Sequence, residues 1–86
     1  MVKPMTPAQK QLAENHMDLV PKIIRSLTNG SPLTSEQRQE LCQIGYLALF
    51  RAAVSCGEGF PFAPYAAAAI RNAVYDFWRH EIRGKD

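Results

Sequence analysis

The stretch from Glu40 to Ala52, Glu-Leu-Cys-Gln-Ile-Gly-Tyr-Leu-Ala-Leu-Phe-Arg-Ala, limits what this chain can become more than any other part of it. Wound as a helix it carries apolar groups on nearly every side. It is nevertheless too short, and too often interrupted by polar groups, to span a bilayer. Its residues divide into two stripes. Leu41, Gly45, Ala48 and Ala52 share one, with Leu49 beside them. Glu40, Gln43, Ile44, Leu47 and Arg51 share the other, at i, i+3, i+4, i+7 and i+11. The first stripe suits the inside of a helical bundle. The second mixes polar groups with aliphatics and suits a docking surface. An ordinary bundle helix, its outer aliphatics half covered by neighbours, would carry the same pattern.

A chain of 86 residues makes one domain, and at that size a helical bundle around a single core is the economical fold. The apolar fraction of 47% is too high for a disordered chain. The formal charge of +2 is too small to name a partner by itself. Cys42 and Cys56 have no zinc-ligand spacing, and on one helix they would stand roughly 21 Å apart, far beyond disulfide reach. They read as reduced thiols of a cytoplasmic protein. The N-terminus has no basic region followed by an apolar run, so no secretory signal is expected.

Punctuation along the chain predicts the helices. Met1 to Met5 form a loose lead-in, and Thr6-Pro7 supplies an N-cap and a first-position proline for a helix running toward Asn15. Asn15 and His16 mark a break. Leu19, Val20, Ile23, Ile24 and Leu27 then define an amphipathic helix that starts near Met17 or Asp18, with Pro21 in its first turn. Thr28 to Pro32 is the clearest loop, and Asn29-Gly30 can supply a left-handed stop. Thr34-Ser35-Glu36-Gln37 fits a capping box for a third helix from Ser35 to Ser55, ended by Gly57-Glu58-Gly59. A last helix is expected from Pro64, with Ala63 as a weak cap, to about Ile82. Its core stripe is Ala66, Ile70, Ala73, Val74 and Phe77. Asn72, Tyr75, Asp76 and Arg79 lie on another face of it, and the tail from Arg83 to Asp86 should fray.

Taken in order, these pieces resemble region 2 of the sigma-70 family of bacterial transcription initiation factors, over about residues 12–79. Four segments carry the resemblance: Glu14 to Val20; Glu40-Leu41-Cys42-Gln43-Ile44-Gly45 with the following run to Ala52; Phe62 with Tyr65-Ala66; and Ile70-Arg71. The resemblance implies an all-α fold, a compact bundle of three main helices plus a short N-terminal helix, with residues 1–86 as a single domain. It also implies that the third helix docks on a coiled coil in the largest subunit of core RNA polymerase, through Glu40, Gln43, Ile44, Leu47, Phe50 and Arg51. Promoter DNA at the −10 element would meet Phe60, Phe62, Tyr65, Arg71, Asn72, Tyr75 and Arg79, the aromatics by stacking on unpaired bases. Arg71, Arg79, His80, Arg83 and Lys85 are candidate phosphate contacts, or equally the cations of a solvated helix end. Phe62 is the aromatic most expected to pin the bundle. Trp78 could either stack with Tyr75 in the open or close the lower core.

The chain departs from the family pattern at four places. Ile44 stands where a second acidic residue is usual, Ala68 and Ala69 replace a tryptophan pair, Asn72 replaces Gln, and Asp76 is an acid where a base is common. The helix-turn-helix that reads the −35 element has no counterpart in these 86 residues. The chain is therefore expected to be a stand-alone region 2, a fragment, or half of a split factor with a separate −35-reading partner. The alternative is a phage-type or mobile-element adaptor that binds polymerase without melting DNA. No catalytic constellation, metal motif, cofactor loop or membrane span is expected.

Overall fold

Two threonines set where helices begin. In the computed structural model, which describes residues 5–29, 31–57 and 59–82, Thr6 caps α1 (Pro7–Glu14) and Thr34 caps α3 (Ser35–Ser55). Both form full capping boxes. The Gln37 amide donates to the Thr34 hydroxyl at 3.1 Å while the Thr34 amide donates back to the Gln37 side chain at 3.0 Å. Gln9 does the same for Thr6, a reciprocal pair that the Thr6-Pro7 signal alone did not announce. Each box satisfies two amides that the first helical turn leaves without partners.

The break at Asn15 and His16 is present: residues 15–18 form a turn before α2 (Leu19–Thr28). His16 donates from Nδ1 to the Leu12 carbonyl at 2.8 Å, so its ring serves as a local stop. Asp18 stands at the N-cap and its carboxylate meets Lys22 at 3.2 Å in an exposed pair. Pro21 falls in the first turn, where its missing N–H is harmless. Asn29 ends α2 in the left-handed region, with φ 37° and ψ 59°. The expected parts played by Gly30, Glu58, Arg83 and Lys85, the lead-in before Met5 and the fraying tail lie outside the described residues.

The last helix departs from expectation at both ends. α4 (Phe62–Phe77) begins two residues before Pro64, with Pro61 at the N-cap and no side-chain cap. Proline is tolerated anywhere in a first turn, so Pro64 does not mark the boundary. Burial of Phe62 does. The buried residues Phe62, Ala66, Ile70, Val74 and Trp78 recur every fourth position, while Ala73 and Phe77 stay at the rim. Each such step overshoots one α-turn by about 40°. Beyond Phe77 the chain winds as a π-helical turn, Trp78–Ile82. Its wider winding reverses the drift, and Ile82 returns against the core.

α3 and α4 form the most extensive helix pair, α2 packs on both, and α1 packs on α3. Leu41, Leu49, Ile70, Val20 and Val74 are the largest fully buried side chains. Burying each stabilises the fold by about 1.5–3 kcal/mol. Gly45 lies on the buried stripe of α3, because a Cβ there would stand 2.6 Å from Val20 Cγ1. Cys42 and Cys56 are free thiols.

Candidate functional site

The outer stripe of α3 is open along its length. Glu40, Gln43, Leu47 and Arg51 are exposed, and Ile44 and Phe50 are half-buried. Leu47 is 52% exposed, a large value for an aliphatic at the centre of a helix. Val54, also exposed, extends the stripe one turn further. It stands at i+7 from Leu47 and continues the repeat past Arg51.

Tyr65, Arg71, Asn72 and Tyr75 on α4 and Arg79 in the π-helical turn are all exposed, and Phe60 precedes α4 at 72% exposure. Phe62 does not join them. It is 8% exposed and meets the His16 ring edge-on, with centroids 5.0 Å apart and planes at 70°. Its ring faces the core and anchors the start of α4, the pinning role expected of it. Trp78, at 9%, closes the lower core, with Tyr75 tilted toward it at 6.2 Å. Tyr75 alone of that pair is open.

The two faces meet. Ile44, Leu47 and Arg51 of α3 and Tyr65, Asn72 and Tyr75 of α4 line one open groove of about 680 Å³. Ala48, Ala52, Ala69 and Ala73 are among its other lining residues. Small side chains on both helices keep it shallow and apolar. Asp76 borders it as well, and its carboxylate lies 3.3 Å from His80 Nε2. Ser55 closes the groove at the connector end. Its hydroxyl donates to the Arg51 carbonyl at 2.9 Å and lies 2.8 Å from the Tyr65 hydroxyl. With the Ser55 proton so placed, the phenol of Tyr65 donates to Ser55. Nothing in the sequence marked Ser55, because the contact exists only once the two helices fold back on each other.

Among the described residues no three His, Cys, Asp or Glu side chains gather to hold a metal ion. None of the described helices is long and apolar enough to cross a membrane. What the surface offers is an apolar and polar helix stripe beside a face of tyrosines, an asparagine and arginines. Those features define an all-helical domain with an open, mixed apolar and polar face on two adjoining helices.

The family model for sigma-70 region 2 matches residues 12–83, and the chain belongs to that family. No curated protein and no solved structure matches it. Its role is accordingly sigma-factor-like, in transcription initiation. The family is non-catalytic and implies contact with core RNA polymerase and promoter DNA.

Proposed function

We propose that this domain docks on core RNA polymerase through Glu40, Gln43, Ile44, Leu47, Phe50 and Arg51. Phe60, Tyr65, Arg71, Asn72, Tyr75 and Arg79 then face the −10 element, without Phe62. The observation that carries this reading is the single groove shared by Ile44, Leu47 and Arg51 with Tyr65, Asn72 and Tyr75. It would keep a protein and a nucleic acid on adjoining walls of one surface. Ile44 makes the docking depend on apolar burial where the family pattern has a charge. Tyr65 and Phe60 offer rings for stacking, Asn72 can donate to and accept from an adenine edge, and Arg71 and Arg79 are placed for phosphates.

A second reading has its own support. Ala68 and Ala69 remove two large rings from this face, and Asp76 sets a carboxylate on the groove where it would repel phosphate. In that reading the chain is a polymerase-binding adaptor, or a split-factor subunit that needs a separate −35-reading partner. One experiment separates the readings. Core enzyme is captured on the immobilised chain, and single-stranded −10 DNA is then added. Tyr65→Ala should leave capture intact and weaken DNA binding by about 1–3 kcal/mol. Gln43→Ala with Ile44→Asp should abolish capture while helicity is unchanged. Capture without any DNA affinity in the unaltered chain would establish the adaptor.

A further inference from the structure

We infer that the corner between α2 and α3 is a recognition site for a carboxylate-bearing peptide segment of a protein partner. Arg25, in the last turn of α2, and Arg38, near the start of α3, are far apart along the helices but line the same pocket of about 460 Å³. Asn29 ends α2 in the left-handed region, with φ 37°. Among the described residues neither guanidinium has an ion-pair or hydrogen-bond partner, and no carboxylate lines the pocket. Two guanidinium groups without partners lining one cavity suit carboxylates, which guanidinium binds through paired N–H donors.

The rest of the lining fits a peptide. Ile24, Leu33, Pro21 and Pro32 supply an apolar wall for the methylene stem of an acidic side chain. Thr28 offers little, because its hydroxyl already donates to the Ile24 carbonyl at 2.8 Å. The polar contacts therefore fall to the two arginines and Ser31. No aromatic ring lines this pocket, so it has nothing on which a base could stack, whereas the exposed tyrosines of α4 border a different groove. Arg38, Leu33 and Cys42 also line an adjoining groove that contains Gln43 and Tyr46. A partner seated on Gln43 thus has a continuous path to Arg38. To that extent the identity of the partner rests on the docking reading above, while the recognition chemistry does not.

The test is a nuclear magnetic resonance titration of the isotope-labelled 86-residue chain with three probes. These are a blocked peptide of alternating Glu and Leu, its Gln and Leu counterpart, and single-stranded oligothymidylate. The acidic peptide should move the Nε–H signals of Arg25 and Arg38 together and saturably, with the Ser31 and Cys42 amides following. The Gln peptide should not. Arg25→Gln and Arg38→Gln should each weaken binding about tenfold, and Arg38→Lys should lose less, as expected for charge-assisted hydrogen bonds. Unchanged signal dispersion shows that each variant is folded. No saturable shift, or equal shifts with the Gln peptide, would overturn the proposal. Shifts of these signals with oligothymidylate alone would also overturn it and give the pocket to nucleic acid. Polymerase takes no part in this readout, so failure here leaves the docking reading standing, and loss of capture by the Gln43 and Ile44 variant leaves this one standing.

Discussion

At Gly45 the packing of three helices converges on one missing methyl group. A Cβ there would meet Val20 Cγ1 at 2.6 Å and Val74 Cγ2 at 3.5 Å, and both valines are fully buried. A β-branched side chain in a helix has one strongly preferred rotamer, so Val20 cannot swing away at low cost. Two effects of Gly45→Ala oppose each other. Alanine gains about 1 kcal/mol of helix propensity, and overpacking costs about 1–3 kcal/mol. At 2.6 Å the clash is severe enough to win. The variant should be less stable by about 1–2 kcal/mol in chemical denaturation. An increase in stability would mean that α2 can slide away from α3. The glycine's place on the inner stripe was legible in the sequence, but its reason was not, since Val20 lies on another helix and period alone cannot name a neighbour.

Among the helices, beginnings and ends written in local chemistry were the legible ones. α3 runs over Ser35–Ser55 as the Thr34 box and the glycines after Ser55 predict, and α2 stops at an asparagine in the left-handed region. Each of these signals acts within a few residues of the boundary it sets. The start of α4 escaped because its cause is distant: Phe62 is drawn into the core against His16, and Pro64 carries no veto. The π-helical turn escaped for the same kind of reason, since it corrects a rotational drift that only a packed core makes costly. Thr34→Ala should therefore cost about 1 kcal/mol, by loss of the hydroxyl that accepts from the Gln37 amide at the start of α3, while the backbone amide of residue 34 can still donate to Gln37. Thr6→Ala, at the outer end of a short helix, should cost less. Denaturant midpoints of the two variants compared side by side check the order.

For the whole molecule, the two functional stripes were each visible in the sequence, but their shared groove was not. Periodicity places residues around one helix axis; it says nothing about which faces meet when α3 and α4 pack together. The arginine pair at the other corner was hidden in the same way, because its two members come from different helices. The Ser55 hydroxyl bridges the two stripes, touching the Arg51 carbonyl on one side and the Tyr65 phenol on the other. Under the proposed function that bridge makes the two binding equilibria thermodynamically linked. By whatever factor bound polymerase changes affinity for single-stranded DNA, bound DNA must change affinity for polymerase by the same factor. Tyr65→Phe keeps the stacking ring and removes the bridge. Polymerase affinity measured with and without the DNA should then differ by less than in the unaltered chain, even where each affinity alone is little changed. The domain would act less as two sites side by side than as one balance with two pans, and Ser55 would sit at its pivot.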